Sequence, residues 1–276
     1  MRKIVLCFIV VMVFASYASA ARVYSEWRGA EGAAWNVPAN WNNNIVPVAM
    51  DPPGGPQHVN YTSAGFKGPG SLNSPGITAG IIVAADQITI GGSTGGNLKV
   101  NGGIVNVSEY LTTGNGATEI GVVTMNSGTI NTGVMITNAA FFVGMAGSGT
   151  LNMNNGVINV RTNLSLANNY VASPLTSVGL VNLLGGTIYA DNLLMNGAAA
   201  NKSTMIITNG KLVLNGDDTM AVQTWIDGGS IRTTIPGGEV TCSYDVGTGK
   251  TTVLVPEPAT MSLLGLGLLS ILRRKK

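Results

Sequence analysis

Apolar residues in the middle of the chain fall at every second position on both sides of a glycine, and they do so six times. The stretches are LKVNGGIVNV about Gly103, VTMNSGTINT about Gly128, LNMNNGVINV about Gly156, VNLLGGTIYA about Gly186, MIITNGKLVL about Gly210 and TWIDGGSIRT about Gly229. Three residues before each glycine stand Val100, Met125, Met153, Leu183, Ile207 and Ile226; two after it stand Val105, Ile130, Ile158, Ile188, Leu212 and Ile231. Five before it the column is Leu98, Val123, Leu151, Val181, Met205 and Thr224. A spacing of two on each side of a turn is the period of a strand that shows one face inward. Successive glycines are 25, 28, 30, 24 and 19 residues apart. Repeats of that length, built from strands without helical spacing between them, predict an all-β fold: a parallel β-helix, or β-solenoid, of about six or more coils.

Each glycine then has a task, because the corner between two faces of a coil asks for a positive φ that Val or Ile would adopt only at a cost. A third strand per coil follows in places, as in Asn163–Leu166 and Asn192–Met195, and Ile90-Gly91, Ile120-Gly121 and Val143-Gly144 mark others. The stretch NNYVASPLTS reads as a loop that bulges from the stack. Two before the glycine stand Asn101, Asn126 and Asn154, which stacked coils would bring together as an amide ladder. Asparagine is also common in turns for local reasons, and the column changes to Leu184, Thr208 and Asp227 further on.

Ahead of the repeats, YSEWRGAEGAAWNVPANWNNNIVP holds Trp27, Trp35 and Trp41. A solenoid needs its first coil covered, and bulky aromatics under a polar loop would do that. The alternative is an exposed platform whose flat indole faces stack on sugar rings. Pro52, Pro53 and Pro56 mark a loop before the coils, which begin near Ile77.

Composition agrees with strands and tight turns: 38 of 276 residues are Gly, and only 10% are charged. Residues 21–254 carry nine Lys/Arg against twelve Asp/Glu, a net of −3, which is no footprint for nucleic acid. Chemistry-bearing residues are few. His58 is the single histidine and lies in a proline-rich loop. Asp217-Asp218 is the one acidic pair, and it reads as a turn. GGSTGGNL has phosphate-loop glycine spacing, but Asn97 stands where Lys is required. Calcium-binding nonapeptides are absent, so no cofactor or metal is expected. Glu109, Glu119, Arg161, Asp191 and Lys202 are the charged residues from Gly103 to Ile207. Glu109 and Glu119 would meet only if they fell on one face of adjacent coils.

Both ends read as addresses. Arg2 and Lys3, the apolar run Ile4–Phe14 and the small residues Ala18-Ser19-Ala20 before Ala21 form an export signal with its cleavage site. Cys7 would leave with it, and Cys242 then stands alone, without an internal disulfide partner; an inert buried thiol is expected. At the other end come Val255-Pro256-Glu257-Pro258, then the apolar run Met261–Leu272, then Arg273-Arg274-Lys275-Lys276. The run has twelve residues, short of the roughly 20 of a durable transmembrane helix, so it predicts a short apolar helix inserted transiently in the inner membrane. The basic terminus would stay cytoplasmic, and the two prolines would hold the segment before the run extended.

This order of motif, apolar run and basic terminus resembles the PEP-CTERM sorting signal of Gram-negative bacteria. The resemblance implies processing by an exosortase and release to the cell surface or extracellular matrix. The repeats are also similar in composition to Gly/Asn-rich, autotransporter-like β-repeat proteins that carry such tails. The chain therefore divides into a signal peptide (1–20), a Trp/Pro-rich N-terminal capping region (21–76), solenoid repeats with a C-terminal cap (77–254) and a sorting signal (255–276). The expected function is that of a structural or adhesive component, not an enzyme, with exopolysaccharide or other matrix components as partners. The alternative is a carbohydrate-active β-helix that binds or cleaves polysaccharide.

Overall fold

The structure, a computed structural model, describes residues 23–48, 62–66, 73–91, 95–133, 140–167, 177–196 and 202–256. The export signal, the loop holding Pro52, Pro53, Pro56 and His58, nearly all of NNYVASPLTS and the sorting segment from Glu257 onward lie outside them.

The chain winds as a three-sided parallel β-solenoid of about six turns. β1 (Val23–Glu26) and β2 (Thr62–Phe66) lead in; β3 (Ile77–Thr78), β4 (Ile82–Ala85) and β5 (Ile88–Ile90) make the first coil. The second is β6 (Gly96–Val107) and β7 (Tyr110–Thr113), the third β8 (Ile120–Thr132) and β9 (Ala140–Val143). β10 (Ser148–Met153) and β11 (Val157–Leu166) form the fourth, β12 (Val178–Leu183) and β13 (Thr187–Met195) the fifth, β14 (Lys202–Ile207) and β15 (Lys211–Asn215) the sixth. β6, β8, β11 and β13 each run on around a corner and so serve two faces.

On the first face Leu98, Val123, Leu151, Val181 and Met205 stack in register. On the second, Val83, Val105, Ile130, Ile158, Ile188 and Leu212 do so, and on the third Ala64, Ile88, Leu111, Phe141, Leu164 and Leu193. All of them are buried in one continuous core. The apolar columns read from the alternation are therefore the interior, and the third strand is present in every coil from β5 to β13. β1 and β2 extend the third face ahead of Ile77, β2 pairing in parallel with β5.

The glycine corner holds with two adjustments. Gly128, Gly156 and Gly186 take φ of 98°, 97° and 76°. A Cβ on each would also lie 2.3, 2.6 and 2.5 Å from the carbonyl oxygen of the glycine one coil below, so the corner is closed to any side chain. In the second coil the positive φ belongs to Gly102, not Gly103, where the register of β6 shifts. Gly210 sits in the stack because a Cβ there would come within 2.5 Å of Leu183. A second row, Gly96, Gly121, Gly149 and Gly179, opens the first face, packed against backbone of the preceding turn.

The sixth aligned repeat is the main correction. Thr224 and Ile226 are not in a strand: α1 (Thr219–Asp227) takes that segment, and β16 (Ile231–Arg232) pairs Ile231 with Met205 and not with Leu212. Asp217 supplies the start, its Oδ1 accepting from the Thr219 N–H at 3.2 Å and the Thr219 hydroxyl at 2.6 Å. Gly228 and Gly229 stop the helix, Gly229 at φ 73°. Among the described residues no seventh coil follows, and an amphipathic helix covers the open end: Val222 is buried, and Trp225 and Ile226 pack on the core. The hairpin of β17 (Thr241–Asp245) and β18 (Lys250–Leu254) completes the closure, β18 pairing antiparallel with β15. A parallel edge is thereby prevented from recruiting another strand at that position.

Candidate surface groove and sorting motif

Alternation sends every second residue of the second face outward, and three of these are asparagines in register: Asn106, Asn131 and Asn159. Asn131 Nδ2 donates to Asn106 Oδ1 at 2.8 Å, and Asn159 Nδ2 donates to Asn131 Oδ1 at 2.8 Å. The expected ladder also forms, with Asn126 donating to Asn101 at 2.7 Å and Asn154 to Asn126 at 2.6 Å. Asn182 donates to Asn152, and Asn192 to Asn163. The glycine alignment marks only the column nearest the turn; the others carry the same signal, an Asn at one position of consecutive coils.

Above Asn159 the outward row continues with Tyr189 and Val213. Beside it, around the corner to the third face, stand Gly133, Arg161, Asp191 and Asn215, with Lys250 contributed by the closing hairpin. Together these residues line an open groove that crosses several coils. Arg161 Nη1 donates to the Gly133 carbonyl at 3.4 Å, Asn215 Nδ2 donates to Asp191 Oδ1, and the Lys250 ammonium lies 5.6 Å from the centre of the Tyr189 ring.

Glu109 and Glu119 are not brought onto one face. Glu109 precedes β7 and accepts from Gln87 Nε2; Glu119 lies at the far end of β7, beyond the next turn, and accepts from the Gly116 N–H at 3.1 Å. Among the described residues no three His, Cys, Asp or Glu gather as a metal ion would require. Cys242 lies half-buried beneath α1, its thiol pointing to the Thr219 carbonyl at 3.8 Å and Gln223 Oε1 at 3.6 Å. Burial, with Asp217 and Asp227 nearby, pushes its pKa up and so disfavours the reactive thiolate.

The three tryptophans are buried, at 0%, 5% and 1% exposure for Trp27, Trp35 and Trp41. Trp41 meets Trp27 and Trp35 edge-on at 5.1 and 4.8 Å between centroids, and all three rest on Phe66. Their ring faces are occupied by one another, so stacking on a sugar would require the cap to open. Glu31 ties this cap to the coils, accepting from the Ser74 N–H and from Lys99 Nζ, each at 2.8 Å.

β18 ends at Leu254; Val255 still packs on the core, and Pro256 is exposed. Residues 254–276 match the family model of the PEP-CTERM protein-sorting motif. The PEP-CTERM motif thus begins at the last residue of the last strand. It marks an exported protein, processed by an exosortase and located at the cell surface or outside the cell. Of the motif residues, Val255 and Pro256 are described; Glu257, Pro258, Arg273 and Arg274 are not, nor are Ala18, Ala20 and Ala21 at the other end. Among the described residues no helix is long and apolar enough to cross a membrane, and Met261–Leu272 lies outside them. No curated protein and no solved structure matches the chain.

Proposed function

We propose that the protein is a structural or adhesive component of the cell surface or extracellular matrix of a Gram-negative bacterium, and that it does not cleave glycans. The observation that carries this reading is the join between solenoid and PEP-CTERM motif. The motif starts where β18 seals the stack, so processing beyond Pro256 delivers one closed rod with every described strand retained. A stack of hydrogen-bonded coils with asparagine ladders on its surface is a rigid, extended scaffold, suited to bridging or coating. Bond cleavage in sugars generally needs two carboxyl groups about 5–10 Å apart, and the groove holds a single one, Asp191. Glu109 and Glu119 lie at other corners.

The test has two arms. Cell fractionation of the native host, with and without replacement of Pro256-Glu257-Pro258, should find the protein in the surface or matrix fraction only when the motif is intact. The full chain, purified in mild detergent, should release neither reducing ends nor unsaturated products from a broad glycan panel. Turnover that disappears on Asp191→Asn, Glu109→Gln or Glu119→Gln would replace this reading with the carbohydrate-active one.

A further inference from the structure

Resting on the surface-component reading, we infer that the groove beside the Asn106–Asn131–Asn159 ladder binds an acidic polysaccharide, laid across the coils along the solenoid. Three features of the groove point to this ligand class. The first is its charge. Arg161 and Lys250 have no ion-pair partner among the described residues, whereas the one acid in the groove, Asp191, is already engaged by Asn215. In a body with a net charge of −3 over residues 21–254, this groove thus sets two cations against one carboxylate, a local excess of positive charge. The pairing that compensates them is with carboxylates of a ligand, by charge-assisted hydrogen bonds.

The second feature is repeat. Neighbouring coils are about 4.8 Å apart, so the ladder offers one amide per rung at a spacing close to the length of a pyranose residue in an extended chain. The third is residual hydrogen-bonding capacity. Asn131, the middle rung, uses one N–H on Asn106 and one lone pair for Asn159, which leaves it a second N–H and a second lone pair for a sugar hydroxyl. Arg161 sits in the fourth coil and Lys250 on the strand beyond the sixth, about three rungs or 14 Å away, so the ligand spans several sugars and carries more than one carboxylate.

Calorimetric titration of the detergent-purified full chain with long oligogalacturonate, and with the same oligomer fully methyl-esterified, tests the inference. The acid form should bind and weaken with added salt, and the ester should bind roughly tenfold or more weakly, since it keeps the hydroxyls but loses the charges. Arg161→Gln and Lys250→Gln should each weaken binding of the acid form roughly tenfold while thermal unfolding stays at the wild-type midpoint. Arg232→Gln, at the far end of the first face, serves as the charge control and should leave binding unchanged. Equal binding of acid and ester, or equal binding by wild type and both groove variants, would overturn the inference. So would an absence of binding, or self-association of the chain that the two groove variants abolish. Surface retention of the wild type is scored separately: a protein held at the surface yet indifferent to uronate sinks this inference and leaves the proposed function standing.

Discussion

Ile158 and Asn159 are neighbours in sequence with opposite fates. Ile158 is fully buried between Ile130 and Ile188, and Ile158→Asp would set an unpaired charge between stacked coils, costing about 4 kcal/mol or more. Such a variant should fail to give a cooperative unfolding transition. Asn159 faces outward, yet the change to Asp is not silent, because the ladder loses its donor and two acceptors then confront each other at Asn131. The expected loss is about 1 kcal/mol, read from the denaturant midpoint. Equal harm from the two substitutions would contradict the register. Gly156→Ala tests the corner: a methyl group there meets the Gly128 oxygen and is held at φ 97°, so destabilisation of about 2 kcal/mol or more is expected by the same measurement.

Elements at the two ends differ from those in the middle because they must finish a stack. The N-terminal cap is clamped by Glu31. Burial acts to raise its pKa, but the Lys99 hydrogen bond, the Ser74 N–H and the Lys99 charge together outweigh that and hold the carboxyl below its ordinary value. A depressed carboxyl contributes stability above its unfolded pKa and loses it as pH falls through the folded value. Acid should therefore weaken the cap below the ordinary carboxylate range. Glu31→Gln should flatten that part of the pH dependence, followed by tryptophan fluorescence; a profile identical to wild type would refute the clamp. The effect will be small, since the pair is about half exposed and screened by solvent. At the other end, α1 shows why glycine alignment misled. TMAVQTWID can satisfy either a strand column at Thr224 and Ile226 or one helical face, and its position over the last coil favours the face that covers most apolar surface.

For the whole molecule, closure and address meet at one point. Because β18 is hydrogen-bonded between β15 and β17 and ends at Leu254, removal of everything past Pro256 takes none of the described strands from the fold. Protein recovered from the native surface should have an intact mass that begins at Ala21 and ends near Pro256-Glu257-Pro258. A mass that includes Leu263–Lys276 would refute processing at the motif. The unfolding temperature of that product should equal that of the full chain in detergent, because every described strand and the helix α1 lie between Val23 and Leu254.

Local features were legible in the chain: the inward columns of the first five aligned coils, the corners at Gly128, Gly156 and Gly186, the meeting of Asn101, Asn126 and Asn154, and the PEP-CTERM tail. Each is encoded by a period or motif within a few residues, so no distant partner is needed to read it. Tertiary structure decided whatever depends on which coil lies above which. Coil lengths vary, and a glycine alignment cannot say that Ile231 stacks on Met205, since that follows only once α1 has taken Thr219–Asp227 out of the winding. Nor could it reveal that Arg161, Tyr189, Asp191 and Lys250 share a groove. They come from two successive turns of the stack and a returning hairpin, and only the antiparallel seating of β18 on β15 brings Lys250 to the others. The burial of Trp27, Trp35 and Trp41 belongs to the same class, because an indole is a platform or a plug according to whether Phe66 and the open end of the stack lie beneath it.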